Sequence, residues 1–140
     1  MKTKLNRILL IDDDEATNFL HQLIIEEMDI TNDFVVKEDG EMAIEYLTTK
    51  TDAHYPSPDL ILLDINMPRM NGWEFLESYK DLSEEQKGKN MIIMLTASLN
   101  PDDMDKAQKI DLIKDFQNKP LMEGEVRAII EKHFPGFVFD

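Results

Sequence analysis

The run Ile8-Leu9-Leu10-Ile11-Asp12-Asp13-Asp14 is an apolar tetrad closed by three carboxylates. An unbroken apolar run of this length fits a strand covered on both faces, because a strand with one wet face alternates. The next segment, Glu15 to Met28, carries Ala16, Phe19, Leu20, Leu23 and Ile24 at helical spacing. That predicts a helix with this stripe turned toward the core. Strand followed by helix is the unit of an α/β fold, and the rest of the chain repeats it.

Phe34-Val35-Val36 is a second strand candidate, and Glu41 to Leu47 a short helix after Gly40 with Met42, Ile44 and Leu47 as its apolar set. Thr51 to Pro58 is polar, holds two prolines and reads as loop. Leu60-Ile61-Leu62-Leu63 is the third strand. Asn71-x-x-Glu74 is a capping box for a helix with Trp73, Phe75, Leu76 and Tyr79. Ser83-Glu84-Glu85-Gln86 is compatible with one more short turn, and Met91 to Leu95 is the fourth strand. Asn100-Pro101-Asp102-Asp103 joins an Asn cap, a proline at the first helical position and acids at the positive dipole end. The helix it opens is weakly amphipathic, with Met104, Ala107 and Ile110. A fifth strand near Asp115 to Asn118 precedes a last helix, roughly Met122 to His133, that buries Val126, Ile129 and Ile130. The expectation is α/β: a doubly wound, five-stranded parallel sheet with five helices on its two faces. Residues 1–140 read as a single domain with a core from about 6 to 134, and the apolar tail with Phe137 and Phe139 is expected to fold back onto it.

Composition narrows the function. With 140 residues, 42% of them apolar, the chain is long enough to bury a core. A net charge of -14 repels phosphate backbones, so no nucleic-acid partner is expected. The absence of cysteine excludes disulfides, thiolate catalysis and Cys-based zinc sites. No apolar stretch reaches the length of a signal-peptide core or a membrane span, which gives a soluble, cytoplasmic expectation without a membrane partner. His21, His54 and His133 are far apart and lack ligand-like spacing, so they read as core or surface residues.

If the strands are parallel, their polar ends converge on one edge of the sheet. Those ends are Asp12, Asp13 and Asp14, then Asp64, then Thr96, Ala97 and Ser98, then Lys119-Pro120. Clustered carboxylates raise one another's pKa unless a cation offsets them. Their hard oxygens suit Mg²⁺ or Mn²⁺. A carboxylate also serves as a nucleophile toward phosphorus, where a lysine and a hydroxyl stabilise the transferring oxygens. Taken singly, each residue has a plainer reading: Asp12 to Asp14 as a helix cap, Asp64 as a turn residue, Thr96 as a cap and Lys119 as a surface lysine. Four such coincidences at the ends of four of the five strands, in this order, favour one phosphoryl-transfer site.

Ile8 to Asp14, Asp64-Ile65-Asn66-Met67-Pro68-Arg69-Met70-Asn71-Gly72, Met94-Leu95-Thr96-Ala97 and Lys119-Pro120 together resemble the receiver domains of two-component response regulators. The resemblance covers about residues 6 to 134, and it is the stand-alone, chemotaxis-regulator-like type that it suggests. It implies the flavodoxin-like strand order 2-1-3-4-5. It implies that Asp64 is phosphorylated, that Asp13 binds the metal directly and Asp12 largely through water, and that the Asn66 backbone carbonyl is a further ligand. Thr96 and Lys119 then bind the phosphoryl oxygens, and Lys119-Pro120 is cis. Thr96 and Phe116 form the switch that alters a protein-binding surface. Many relatives have Tyr where this chain has Phe116, so a switch here rests on packing. The implied partners are a sensor histidine kinase or histidine phosphotransfer protein and a downstream protein target, with the chain a monomer or weak dimer. No output domain follows residue 134, which predicts action by contact or by passing the phosphate on. The implied role is signalling rather than enzymatic, although such a domain assists its own phosphorylation and dephosphorylation.

Two other readings compete. A Mg²⁺-dependent phosphohydrolase with an aspartyl-phosphate intermediate commonly has a second acid two positions past the nucleophile, where this chain has Asn66. An unphosphorylated pseudo-receiver scaffold is expected to have lost one of Asp13, Asp64, Thr96 and Lys119, and this chain keeps all four.

Overall fold

The computed structural model describes residues 4–87, 91–97 and 100–139. Five strands and six helices alternate among them: β1 (Ile8–Ile11), α1 (Glu15–Met28), β2 (Phe34–Lys37), α2 (Gly40–Leu47), β3 (Leu60–Asp64), α3 (Gly72–Lys80), α4 (Glu84–Lys87), β4 (Met91–Thr96), α5 (Pro101–Gln108), β5 (Ile113–Asn118) and α6 (Glu123–His133). All strand pairs are parallel, in the order β2-β1-β3-β4-β5.

The three central strands are the apolar runs. Every residue of β1 and β3 is buried, whereas the edge strands β2 and β5 are only partly so. Alternate side chains feed two separate layers. Ile8, Leu10, Leu60, Leu62, Ile93 and Leu95 pack with Ile25 of α1 and Val126, Ile129 and Ile130 of α6. Leu9, Ile11, Ile61, Leu63, Ile92 and Met94 pack with Ala43 and Leu47 of α2 and with Phe75, Leu76 and Tyr79 of α3. Phe134, Phe137 and Phe139 pack against the first layer, and the Arg127 guanidinium lies 4.2 Å from the centre of the Phe139 ring. The tail therefore folds back.

The helix starts follow the sequence signals. Asn71 accepts from the Glu74 N–H and Glu74 returns the bond to the Asn71 N–H, which closes the capping box. Asn100 accepts from the Asp102 N–H, with Pro101 first in the helix.

Four expectations need correction. The helices number six among the described residues, not five, because Ser83 and Gln86 exchange two side-chain-to-backbone bonds that suffice for the single turn α4. β5 begins at Ile113, two positions before Asp115. The expected inward stripe of α1 mostly faces out: Phe19 is 65% and Leu23 48% exposed, whereas Asn18, His21 and Ile25 face in. Helical spacing defines a stripe but does not say which of two stripes meets the sheet. Here the inward one is chosen partly by polar contacts, described below. In α2, similarly, Ala43 and Leu47 are buried and Met42 is exposed.

Candidate functional site

The carboxyl ends of β1, β3, β4 and β5 meet as a parallel sheet requires. Asp64 closes β3 and pairs in register with Leu95, so Thr96 lies one step beyond it on β4. The Lys119 N–H donates to the Thr96 carbonyl at 2.7 Å, which carries the residue after β5 to the same edge. Asp12, Asp64 and Thr96 are buried and Asp13 is exposed. Asp14 is the N-cap residue of α1, as expected, but its carboxylate takes the Thr17 hydroxyl instead of a backbone N–H.

Lys119 is the cation of the cluster. Its Nζ lies 2.9 Å from Asp12 Oδ2 and 3.3 Å from Asp64 Oδ1, and its side chain is 9% exposed. Burial first, and then the negative Asp12, push the Asp64 carboxyl up to about 6, against the opposing pull of Lys119. Burial disfavours the Lys119 ammonium, but its hydrogen bond and charge pairing with Asp12, reinforced by Asp64, outweigh this and hold its pKa above the ordinary value. One lysine thus does not neutralise the acids around it. Single oxygens of Asp12, Asp13 and Asp64 lie within 4.8 Å of one another, so the three acids could hold a metal ion. The donors are hard carboxylates, one of them exposed and open to water, which fits an ion that keeps part of its hydration shell.

The loop after β3 is held in place from two sides. Gly72 opens α3 against the strand end, and a Cβ there would come within 2.5 Å of the Asp64 carbonyl oxygen and 3.0 Å of Ile65 Cα. Glycine is required by that close approach. Arg69, at a positive φ of 63°, pairs with the buried carboxylate of Asp39, which also caps α2 through the Met42 N–H. Asn66 is exposed in this loop, two residues past Asp64. Phe116 is half-buried on β5, opposite Met94, and belongs to the layer of Leu9 and Ile11. The Lys119–Pro120 bond is cis. Ser98 lies outside the described residues.

The structure places Asp12, Asp13, Asp64, Thr96 and Lys119 at one edge of the sheet, and four residues around them were not singled out from the sequence. Asp39 and Arg69 pair across 30 positions, and Asn18 and His21 reach backbone groups at the site. Only the polar character of Asn18 and His21, at positions that share a helix face with Ile25, could have signalled this.

The family model of the response regulator receiver domain matches residues 8–131. The transcriptional regulatory protein CpxR of Escherichia coli K12 is 34% identical over 134 residues, covering 91% of this chain and 50% of its own length. The chain thus spans about half of that relative. Among solved structures, a two-component response regulator from Cytophaga hutchinsonii is 31% identical with a TM-score of 0.79, covering 94% of this chain and 98% of that one. The phosphorylated cyanobacterial phytochrome response regulator RcpA is 25% identical with a TM-score of 0.77, covering 96% and 97%.

Proposed function

The chain belongs to the response regulator receiver domain family of two-component systems, and from that premise we propose that Asp64 takes a phosphoryl group from a phosphohistidine protein. The observation that carries this reading is a buried carboxylate that shares one lysine with a second buried carboxylate, at the converging ends of parallel strands. An Asp64 carboxylate oxygen attacks phosphorus, the phosphorus–nitrogen bond of the donor breaks, and the donor imidazole leaves with its electron pair. Lys119 supplies positive charge to the transferring oxygens and Thr96 a hydroxyl. Asp12, Asp13, Asp64 and the Asn66 carbonyl would hold Mg²⁺ or Mn²⁺, which, when bound, neutralises charge on the phosphoryl oxygens. The family is one of signalling receivers rather than classical enzymes, and the product here is the modified chain itself. Phosphorylation then alters a protein-binding surface through Thr96 and Phe116.

A protein donor suits the surface beside the site. Ala16, Thr17 and Leu20 of α1 line a shallow cleft with Ala97, Lys119 and Pro120. Phe19 and Leu23 are exposed apolar side chains of the same helix. No helix among the described residues is long and apolar enough to cross a membrane, and we place the exchange in the cytoplasm. The reading is tested by trapping the acyl phosphate. After treatment with acetyl phosphate and Mg²⁺, borohydride reduction converts a phosphorylated Asp64 to homoserine, which peptide mass spectrometry locates. Reduction at another residue, or at none, defeats the assignment.

A further inference from the structure

The inward face of α1 carries two polar side chains in the company of Ile25. Asn18 is 8% exposed and His21 1%. Burying such groups is costly unless they are hydrogen-bonded. Among the described residues each side chain makes one hydrogen bond, to the backbone of the site. Asn18 Nδ2 donates to the Asp12 carbonyl at 2.8 Å, and the Leu121 N–H donates to His21 Nε2 at 2.9 Å. Asp12, which Asn18 approaches, is joined at 2.9 Å to Lys119, two residues before Leu121. The contacts therefore close a ring: Asp12 to Asn18, along one turn of α1 to His21, across to Leu121, back through Pro120 to Lys119, and from its ammonium to Asp12.

This arrangement is not the one stability alone favours. Among the described residues, Asn18 Oδ1 and His21 Nδ1 are buried without a hydrogen-bond partner. Two apolar side chains would fill the same space with no such penalty, and half-satisfied buried polar groups are a net cost. What the pair provides is directional contact with two particular backbone groups. The imidazole must be neutral to do so, since Nε2 accepts and its proton sits on Nδ1. Burial, with Lys119 acting the same way and Asp12 opposing, keeps its pKa below the ordinary histidine value. On the other side, the Lys119 N–H is tied to Thr96 on β4. The Lys119-Pro120-Leu121 segment is thus fixed from β4 and from α1 at once.

We propose that Asn18 and His21 are positioning residues: through the backbone of Asp12 and Leu121 they hold the Asp12 carboxylate and Lys119 ammonium in register for transfer to Asp64. The inference rests on the phosphoacceptor reading for its consequence, but the contact itself can be measured without any phosphodonor.

The experiment compares His21→Leu, His21→Gln and Ile25→Ala with wild type. Gln can offer an acceptor near the position of Nε2, and Ile25→Ala is a purely apolar loss on the same helix face. The first readout is the NMR signal of the Lys119 ammonium, protected from exchange where it is held between carboxylates. It persists in wild type, His21→Gln and Ile25→Ala and is lost in His21→Leu. The second is the rate of phosphorylation by acetyl phosphate with Mg²⁺. It falls about tenfold in His21→Leu, because a displaced catalytic group costs rate steeply, and stays near wild type in the other two. In a Lys119→Met background His21→Leu has no further effect, which shows that the two act as one unit. Should His21→Leu not fold, His21→Asn, whose amide is too short to reach Leu121, takes its place. A His21→Leu protein with the ammonium signal and rate of Ile25→Ala overturns the proposal. A wild type that takes no phosphoryl group, but whose ammonium signal still depends on His21, defeats the phosphoacceptor reading and leaves the positioning role standing.

Discussion

Lys119 Nζ sits 3.3 Å from Asp64 Oδ1 and closer still, at 2.9 Å, to Asp12. The lysine is therefore held more closely by Asp12 than by Asp64, the proposed nucleophile. Asp12 orients it, and Asp64 shares it. In Lys119→Met the buried Asp12 is left without its cation. Removing one partner of a buried pair costs about 3 kcal/mol, and urea denaturation is expected to show a loss of that order, partly recovered by Mg²⁺. Loss of charge stabilisation at the transferring oxygens lowers the phosphorylation rate by about 100-fold. An unchanged rate would remove Lys119 from the chemistry.

The raised Asp64 pKa has a signed effect on stability. The unfolded chain ionises this carboxyl near 3.8, the folded chain only at about 6. Between those values the folded state binds more protons, so this group's contribution falls as pH rises through the window. Asp64→Asn removes the penalty. Metal-free Asp64→Asn is expected to gain stability over wild type at pH 7 and to show little gain at pH 4, by paired denaturation curves. Added Mg²⁺ narrows the gap at pH 7 by stabilising the ionised wild type. A gain that is the same at both pH values contradicts the assignment.

Two glycines differ in what surrounds them. At Gly72 an added Cβ meets the Asp64 backbone, which cannot yield without moving that residue. At Gly40 it meets the Met70 side chain at 2.7 Å, which is flexible. Gly72→Ala is expected to cost about 2 kcal/mol or more and to slow phosphorylation, and Gly40→Ala less than about 1.5 kcal/mol with the rate retained. Thermal denaturation and the acetyl phosphate assay read both. Equal effects at the two positions would show that the approach of α3 to Asp64 is not tight.

Phe19 is an exposed aromatic of α1, next in sequence to Leu20 of the cleft that Lys119 lines. Phe19→Ser is expected to change stability by no more than about 0.5 kcal/mol and to leave phosphorylation by acetyl phosphate untouched. Transfer from a phosphorylated histidine phosphotransfer domain slows several-fold, because only the protein donor touches that side chain. Equal slowing with both donors would place the defect in the site rather than on the surface.

The sequence reveals what repeats and hides what crosses the fold. Ile8 to Ile11 and Leu60 to Leu63 are unbroken apolar runs, so the buried strands are plain, and parallel pairing places Asp12, Asp64, Thr96 and Lys119 at one edge without further input. The inward face of α1 is another matter. Ala16, Phe19 and Leu23 form the better apolar stripe, yet the sheet meets Asn18, His21 and Ile25. The deciding contacts run from Asn18 to Asp12 and from Leu121 to His21, the second across 100 residues, and no local pattern encodes such a partner. The Asp39–Arg69 pair was hidden for the same reason. The single turn α4 is too short to show a period, and only the Ser83-x-x-Gln86 pair that closes its start marks it in the sequence.

The central claim is that Asp64 accepts a phosphoryl group with the help of a divalent ion. The intact mass of the protein after incubation with acetyl phosphate and Mg²⁺, beside Asp64→Asn and an EDTA-treated sample, tests it most directly. The account predicts one phosphoryl adduct on the wild type and none on the other two. An adduct that survives Asp64→Asn, or a wild type that takes none across a range of Mg²⁺ and Mn²⁺ concentrations, would contradict it.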